Sequence, residues 1–159
     1  MLMTTVQYGL LIALAIALLC AAFTDIRSRT IANSLNLGIA ALAPVFWWAS
    51  GLSIWPDVVI QLGVAVAAFA VFAGLFALGM MGGGDVKLLT ALALWIEPMA
   101  FLQLLMVMAI AGGLLTIGMA AWHAMRRQKD KLAIPYGVAI AIGAFWVLAP
   151  RLSEVPTIT

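Results

Sequence analysis

Two aspartates carry the chemistry that this sequence can offer. Asp25 stands in Thr24–Asp25–Ile26–Arg27–Ser28–Arg29, where a long apolar run gives way to charge. Asp85 follows three glycines in Met80–Met81–Gly82–Gly83–Gly84–Asp85–Val86–Lys87. Two carboxylates brought together in a low-dielectric site share a proton. The ionised member can take a proton from water, while the protonated member polarises a carbonyl and later feeds a leaving amine. Peptide hydrolysis needs nothing further, neither a metal nor a covalent intermediate. Competing machinery is scarce, because the one histidine is His123 and the one thiol is Cys20. No His/Asp or His/Glu cluster has metal-ligand spacing, and no cofactor is expected. A single cysteine also rules out a disulfide framework within the chain; Cys20, inside an apolar run, reads as a small packed hydrophobe.

The elements that position these groups belong to a membrane protein. The 159 residues are 66% hydrophobic and 9% charged, with a mean hydropathy of +1.18. Soluble domains carry about 25% charged residues. The expectation is one integral membrane domain over residues 1–159, with lipid as its surroundings. A net charge of +2 gives no reason to expect nucleic acid.

Apolar runs predict six transmembrane helices: Val6–Phe23, Leu35–Ala49, Val58–Met81, Asp85–Glu97, Pro98–Trp122 and Leu132–Pro150. The fold class is all-α and polytopic. Asn33 is placed as a cap for the second helix, Pro44 as a kink within it, and Trp47 and Trp48 in an aromatic belt. The fourth segment, opening at the glycines, is too short to cross a hydrocarbon core of about 30 Å. It is either sheltered by its neighbours or set in a thinned bilayer. With the N-terminus outside, the inner loops hold Arg27, Arg29, Lys87, Arg126, Arg127, Lys129 and Lys131, and the outer side only Arg151. The positive-inside rule favours that orientation. It brings Asp25 and Asp85 to the same inner depth, where they meet if the first and fourth spans are neighbours.

Three readings of the aspartates stay open on topology and chemistry alone. They form a catalytic pair, they are a helix cap and a solvated loop residue, or they bind a proton or cation within the membrane. Gly82, Gly83 and Gly84 suit a site where a substrate backbone approaches closely or where φ is positive. Lys87 is placed to contact Asp85 or a substrate, or to snorkel to the interface. Glu97 before Pro98 marks an outer turn, His123 an interfacial position beside Trp122. The basic residues from Arg126 to Lys131 set topology and touch anionic lipid, with Asp130 among them.

The sequence resembles the type IV prepilin peptidases, in particular the small members associated with tight-adherence (Flp) pili. Gly82–Gly83–Gly84–Asp85–Val86–Lys87 matches the Gly-x-Gly-Asp-x-Lys signature of that family. Asp25, followed by Arg27, Arg29 and Ile31–Ala32–Asn33, resembles its first aspartate with Ile-Pro-Asn. Ile134–Pro135–Tyr136–Gly137–Val138–Ala139 resembles its late Pro-Tyr-Gly block. The three motifs fall in order over most of the chain. The resemblance implies an aspartic-type endopeptidase of the bacterial inner membrane. It would cut the leader from prepilins or pseudopilins at the cytoplasmic face, for pilus assembly and protein secretion. Asp25 and Asp85 would be catalytic, with Pro135, Tyr136 and Gly137 lining the site. Ala32 departs from the family's proline. The loop after the first span lacks the cysteine-bearing domain tied to N-methylation in larger members, so the implied activity is proteolysis without a claim to methylation. A transport subunit using both aspartates and a non-catalytic pilus-assembly scaffold are the rival functions. A homo-oligomer is left open.

Overall fold

The computed structural model describes residues 2–126 and 134–153. All its regular elements are helical: α1 (Leu2–Ser28), α2 (Asn33–Ala49), a short π-type turn (Ile54–Val58), α3 (Val59–Ala77), α4 (Gly83–Ala93), α5 (Pro98–Met125) and α6 (Tyr136–Ser153). Among the described residues, four segments are long and apolar enough to cross a membrane: Leu2–Ser28, Ile54–Ala77, Pro98–Met125 and Tyr136–Ser153. The basic residues Arg127, Lys129 and Lys131, together with Asp130 and Leu132, lie outside the described residues.

The short helix is the hub. At 11 residues, α4 is about 16 Å long, yet α2, α3, α5 and α6 all pack on it. Seven of its residues are buried. Shelter by neighbours thus answers how so short a segment can sit among spans. Its C-terminal carbonyls are satisfied from the side. Trp47 Nε1 donates to Leu94 O at 2.6 Å, and the buried Gln61 Nε2 donates to Ile96 O at 2.7 Å. In lipid such carbonyls have no water to turn to. Trp47 is therefore a cap for α4, whereas Trp48 is exposed. Trp95 stacks on Phe46 at 4.8 Å between ring centroids and donates to Ile39 O.

Several boundaries differ from those read off apolar runs. The first helix continues through Thr24–Ser28, because Thr24 and Ser28 return their hydroxyls to the carbonyls of Ala21 and Thr24. Asp25 is thus a helical residue at 6% exposure, not a solvated loop residue. The third helix stops at Ala77, well before the glycine run. Gly79, at φ +72°, ends it: Gly79 N–H donates to Phe76 O and Met80 N–H to Leu75 O, the paired bonds of a Schellman motif. Gly82, by contrast, has φ −74° and needs no left-handed freedom. The fourth helix starts at Gly83, so Gly82 occupies the N-cap position and Asp85 lies inside the first turn. Asn33 opens α2 behind Ala32, which holds the N-cap position, and the helix runs through Pro44 without interruption. The fifth reaches Met125, carrying His123 in its last turn, and Arg126 lies 4.4 Å over the Trp122 ring.

Buried residues on α1 recur at Leu11, Leu14, Leu18, Ala21 and Asp25. On α6, Gly137, Ile140, Ala144 and Val147 repeat the same spacing. Steps of three and four keep one helix face turned inward. Asp25 and Gly137 are the end members of their core stripes, which is why both are buried. Where α5 and α6 meet, a methyl group on Gly143 would fall 2.6 Å from Leu104 O, so glycine sets how closely the backbones approach.

Candidate active site

The C-terminal end of α1 and the N-terminal ends of α2, α4 and α6 gather at one end of the bundle. Asp25 and Asp85 both lie there, 6% and 8% exposed. Helices α1 and α4 share α2 and α6 as packing partners, and these bring the two carboxylates within electrostatic reach of each other.

Each carboxylate rests on a glycine. Gly137 N–H donates to Asp25 Oδ2 at 2.7 Å. This is one of the N–H groups that the first turn of α6 cannot use internally, and the helix N-terminus favours a negative partner. A methyl group on Gly137 would lie 2.8 Å from that oxygen. Asp85 folds back over its own helix start, where the Gly82 backbone N–H acts on its carboxylate, close to the placement of the third residue of a capping box. A methyl group on Gly82 would lie 2.9 Å from Asp85 Oδ2. Gly82, not Asp85, holds the N-cap position of α4; Asp85 lies three residues on, within electrostatic reach of Asp25.

The segment after α1 clamps the two motifs together. Arg29, in the left-handed region at φ +55°, turns the chain out of α1, and its N–H closes on Asp25 O. Its charge acts on the Asp25 carboxylate. Ile31 then packs on Gly84, where an added methyl group would fall 3.2 Å from Ile31 Cβ. Asn33 Oδ1 accepts from Lys87 Nζ at 2.7 Å, and Asn36 Nδ2 donates to Gly84 O at 3.2 Å. The three glycines thus have different duties. Gly82 receives a carboxylate, Gly84 admits the Ile31 segment, and a methyl group on Gly83 would meet only the Phe76 ring, at an ordinary 3.4 Å.

Residues 12–117 match the type IV leader peptidase family, well over half the chain. This chain belongs to the type IV leader peptidase family. The matched stretch contains both aspartates and the clamp between them, and it ends before Gly137. No curated protein and no solved structure gives a match.

Other expectations find their places. Lys87 reaches Asn33 rather than either aspartate. Tyr136 lays its ring beside Gly112 of α5, and Pro135 is buried just ahead of α6. Glu97 holds the N-cap position of α5 without a side-chain cap bond and pairs with Arg151 at 2.7 Å, at the end of the bundle away from the aspartates. A cavity of about 690 Å³ opens at that far end, among Tyr8, Gln61, Asp57, Glu97 and Arg151. Sequence reasoning missed Asn36, 4% exposed, whose Oδ1 is buried without a partner. Its position three residues after Asn33, among apolar neighbours, was the available signal.

Proposed function

We propose that this chain is an aspartic endopeptidase that removes the leader of prepilin-type substrates, with Asp25 and Asp85 as its catalytic pair. One observation carries the reading. Among the described residues the two buried acidic residues, Asp25 and Asp85, lie at one end of the bundle within electrostatic reach of each other, and each rests against a glycine at a helix start. In this reading one carboxylate takes a proton from water as its oxygen attacks the scissile carbonyl carbon. The other, protonated, donates to the carbonyl oxygen. The carbon–nitrogen bond then breaks and the departing amine takes a proton from the pair.

The remaining details follow the same reading. Six spans form a single domain over residues 1–159 in a bacterial inner membrane, with the N-terminus outside and the aspartates at the cytoplasmic face. The count of seven basic residues against one supports that orientation. The substrate belongs to a pilus of the tight-adherence kind.

The test is co-expression with a prepilin-type substrate, read by mass spectrometry of the substrate's new N-terminus. Wild type should release the leader, while Asp25→Asn and Asp85→Asn should each abolish release. Processing by both variants at the wild-type rate would refute the catalytic pair. Ion movement across vesicles, without processing by wild type, would favour a transport role.

A further inference from the structure

A groove of about 410 Å³ runs along the outside of α4, between α2 and α3. Leu37 and Ala40 line one wall and Phe69 the other, and Thr90, Ala91 and Leu94 form the floor. We propose that this groove seats the apolar helix of the leader-bearing substrate, with the first turn of that helix at Asn33, Asn36 and Lys87. The proposal rests on the peptidase reading above and names where its substrate is held.

Three observations support it. The groove faces lipid and its walls are apolar, with Leu37 and Phe69 largely exposed, so its occupant comes from the bilayer. Its polar mouth is continuous with the candidate site, since Asn36 Nδ2 holds the Gly84 carbonyl one residue before Asp85. The Asn36 Oδ1 acceptor is buried and unsatisfied, an unfavourable state for a polar atom. A helix entering the groove supplies what is missing, because its first turn carries N–H groups with no internal partner. An acyl chain has no such donor. From Asn33 to Ala40 the wall extends about 10 Å, enough for two turns of a docked helix.

The geometry also sets a register. Lys87 lies about 200° around α4 from Asp85, at 3.6 residues per turn. A substrate whose helix occupies the groove must cross the N-terminus of α4, past the exposed Gly82, to reach the aspartates. Crossing a helix about 10 Å wide takes roughly three extended residues. The scissile bond therefore precedes the first groove-held turn by about three residues.

The test uses the full chain in bacterial membranes with a co-expressed prepilin-type substrate. A photo-crosslinking amino acid replaces Leu37 or Phe69 in the groove, or Ile110 or Leu114 on the exposed face of α5. The expected result is substrate adducts from Leu37 and Phe69, mapped to its apolar helix, and none from the α5 positions. Cleavage with adducts only from α5, or with lipid adducts alone from the groove, overturns the docking surface and leaves the peptidase reading intact. Groove adducts without leader cleavage overturn the peptidase reading and keep the surface. Neither adducts nor cleavage overturns both.

Discussion

Gly137 N–H and Asp25 Oδ2 form a 2.7 Å hydrogen bond between residues 112 positions apart. The bond ties the start of α6 to the end of α1 and fixes one oxygen of a buried carboxylate. It also makes Gly137 a residue whose side chain must be absent. Gly137→Ala would place a methyl group 2.8 Å from Asp25 Oδ2 and 3.0 Å from its Cβ. The Cβ is fixed to the α1 backbone and cannot swing aside, so the carboxylate must shift. Displacement of about 1 Å at a catalytic group can cost roughly 100-fold in rate, and leader processing should fall by that order with helical content unchanged. Gly112→Ala, whose added carbon would lie an ordinary 3.5 Å from the Tyr136 ring, should process close to the wild-type rate. Equal activity of the two variants in a time-resolved assay would remove Gly137 from the site.

The glycine run should divide in the same way. Gly82→Ala meets Asp85 Oδ2 at 2.9 Å, and Gly84→Ala meets Ile31 Cβ at 3.2 Å with the Ile31 backbone behind it. Gly83→Ala meets only the Phe76 ring, at 3.4 Å. The first two variants should lose at least tenfold in processing and the third should stay within about twofold. That order accounts physically for a signature that leaves its middle position free. If Gly83→Ala proves the worst of the three, the close approaches described here do not govern the site.

Much of this arrangement was legible from residue spacing, and the rest was hidden for identifiable reasons. The aspartates and the all-helical frame could be read because charges in an apolar chain stand out. Helix ends were read less well. Apolar runs stop where hydropathy stops, yet α1 continues through polar residues that bond to their own backbone. The three adjacent glycines drew attention from Gly79, which does the work of ending α3. Gly137 was legible as part of a motif, but not as a backbone donor. That role depends on α6 packing beside α1, which no local pattern encodes. Asn36 and Gln61 were hidden likewise, since their partners lie 48 and 35 residues away.

Stability should depend on the side-chain caps at the far end of α4. Gln61→Leu keeps the volume and leaves the Ile96 carbonyl without its 2.7 Å donor in a buried position. An orphaned acceptor of this kind costs about 1–3 kcal/mol. Thermal unfolding in detergent should shift down accordingly, while processing at low temperature persists, because Gln61 lies away from the aspartates. Glu97→Gln is the contrast. It weakens an exposed ion pair with Arg151, worth about 0–1 kcal/mol at most. A larger loss from Glu97→Gln than from Gln61→Leu would contradict this account of how α4 ends.

Ala32 offers a change in the opposite direction. The resembled motif has proline there, and the backbone of Ala32 already holds φ −61° and ψ 134°. Proline fixes φ near −65°, so the ring demands no new conformation. Ala32 immediately precedes α2, and among the described residues no turn or cap bond uses its N–H. The residue ahead, Ile31, lies outside any helix, as a residue before proline prefers. Proline at a compatible site stabilises by about 0.4–1 kcal/mol, chiefly by narrowing the unfolded ensemble. Ala32→Pro should therefore raise the midpoint of thermal unfolding and leave leader processing unchanged. The Ile31–Gly84 contact and the Asn33–Lys87 bond flank the substitution and serve as its check. A lower midpoint would mean that the pyrrolidine ring disturbs one of them, and that the alanine is required by the packing of this clamp.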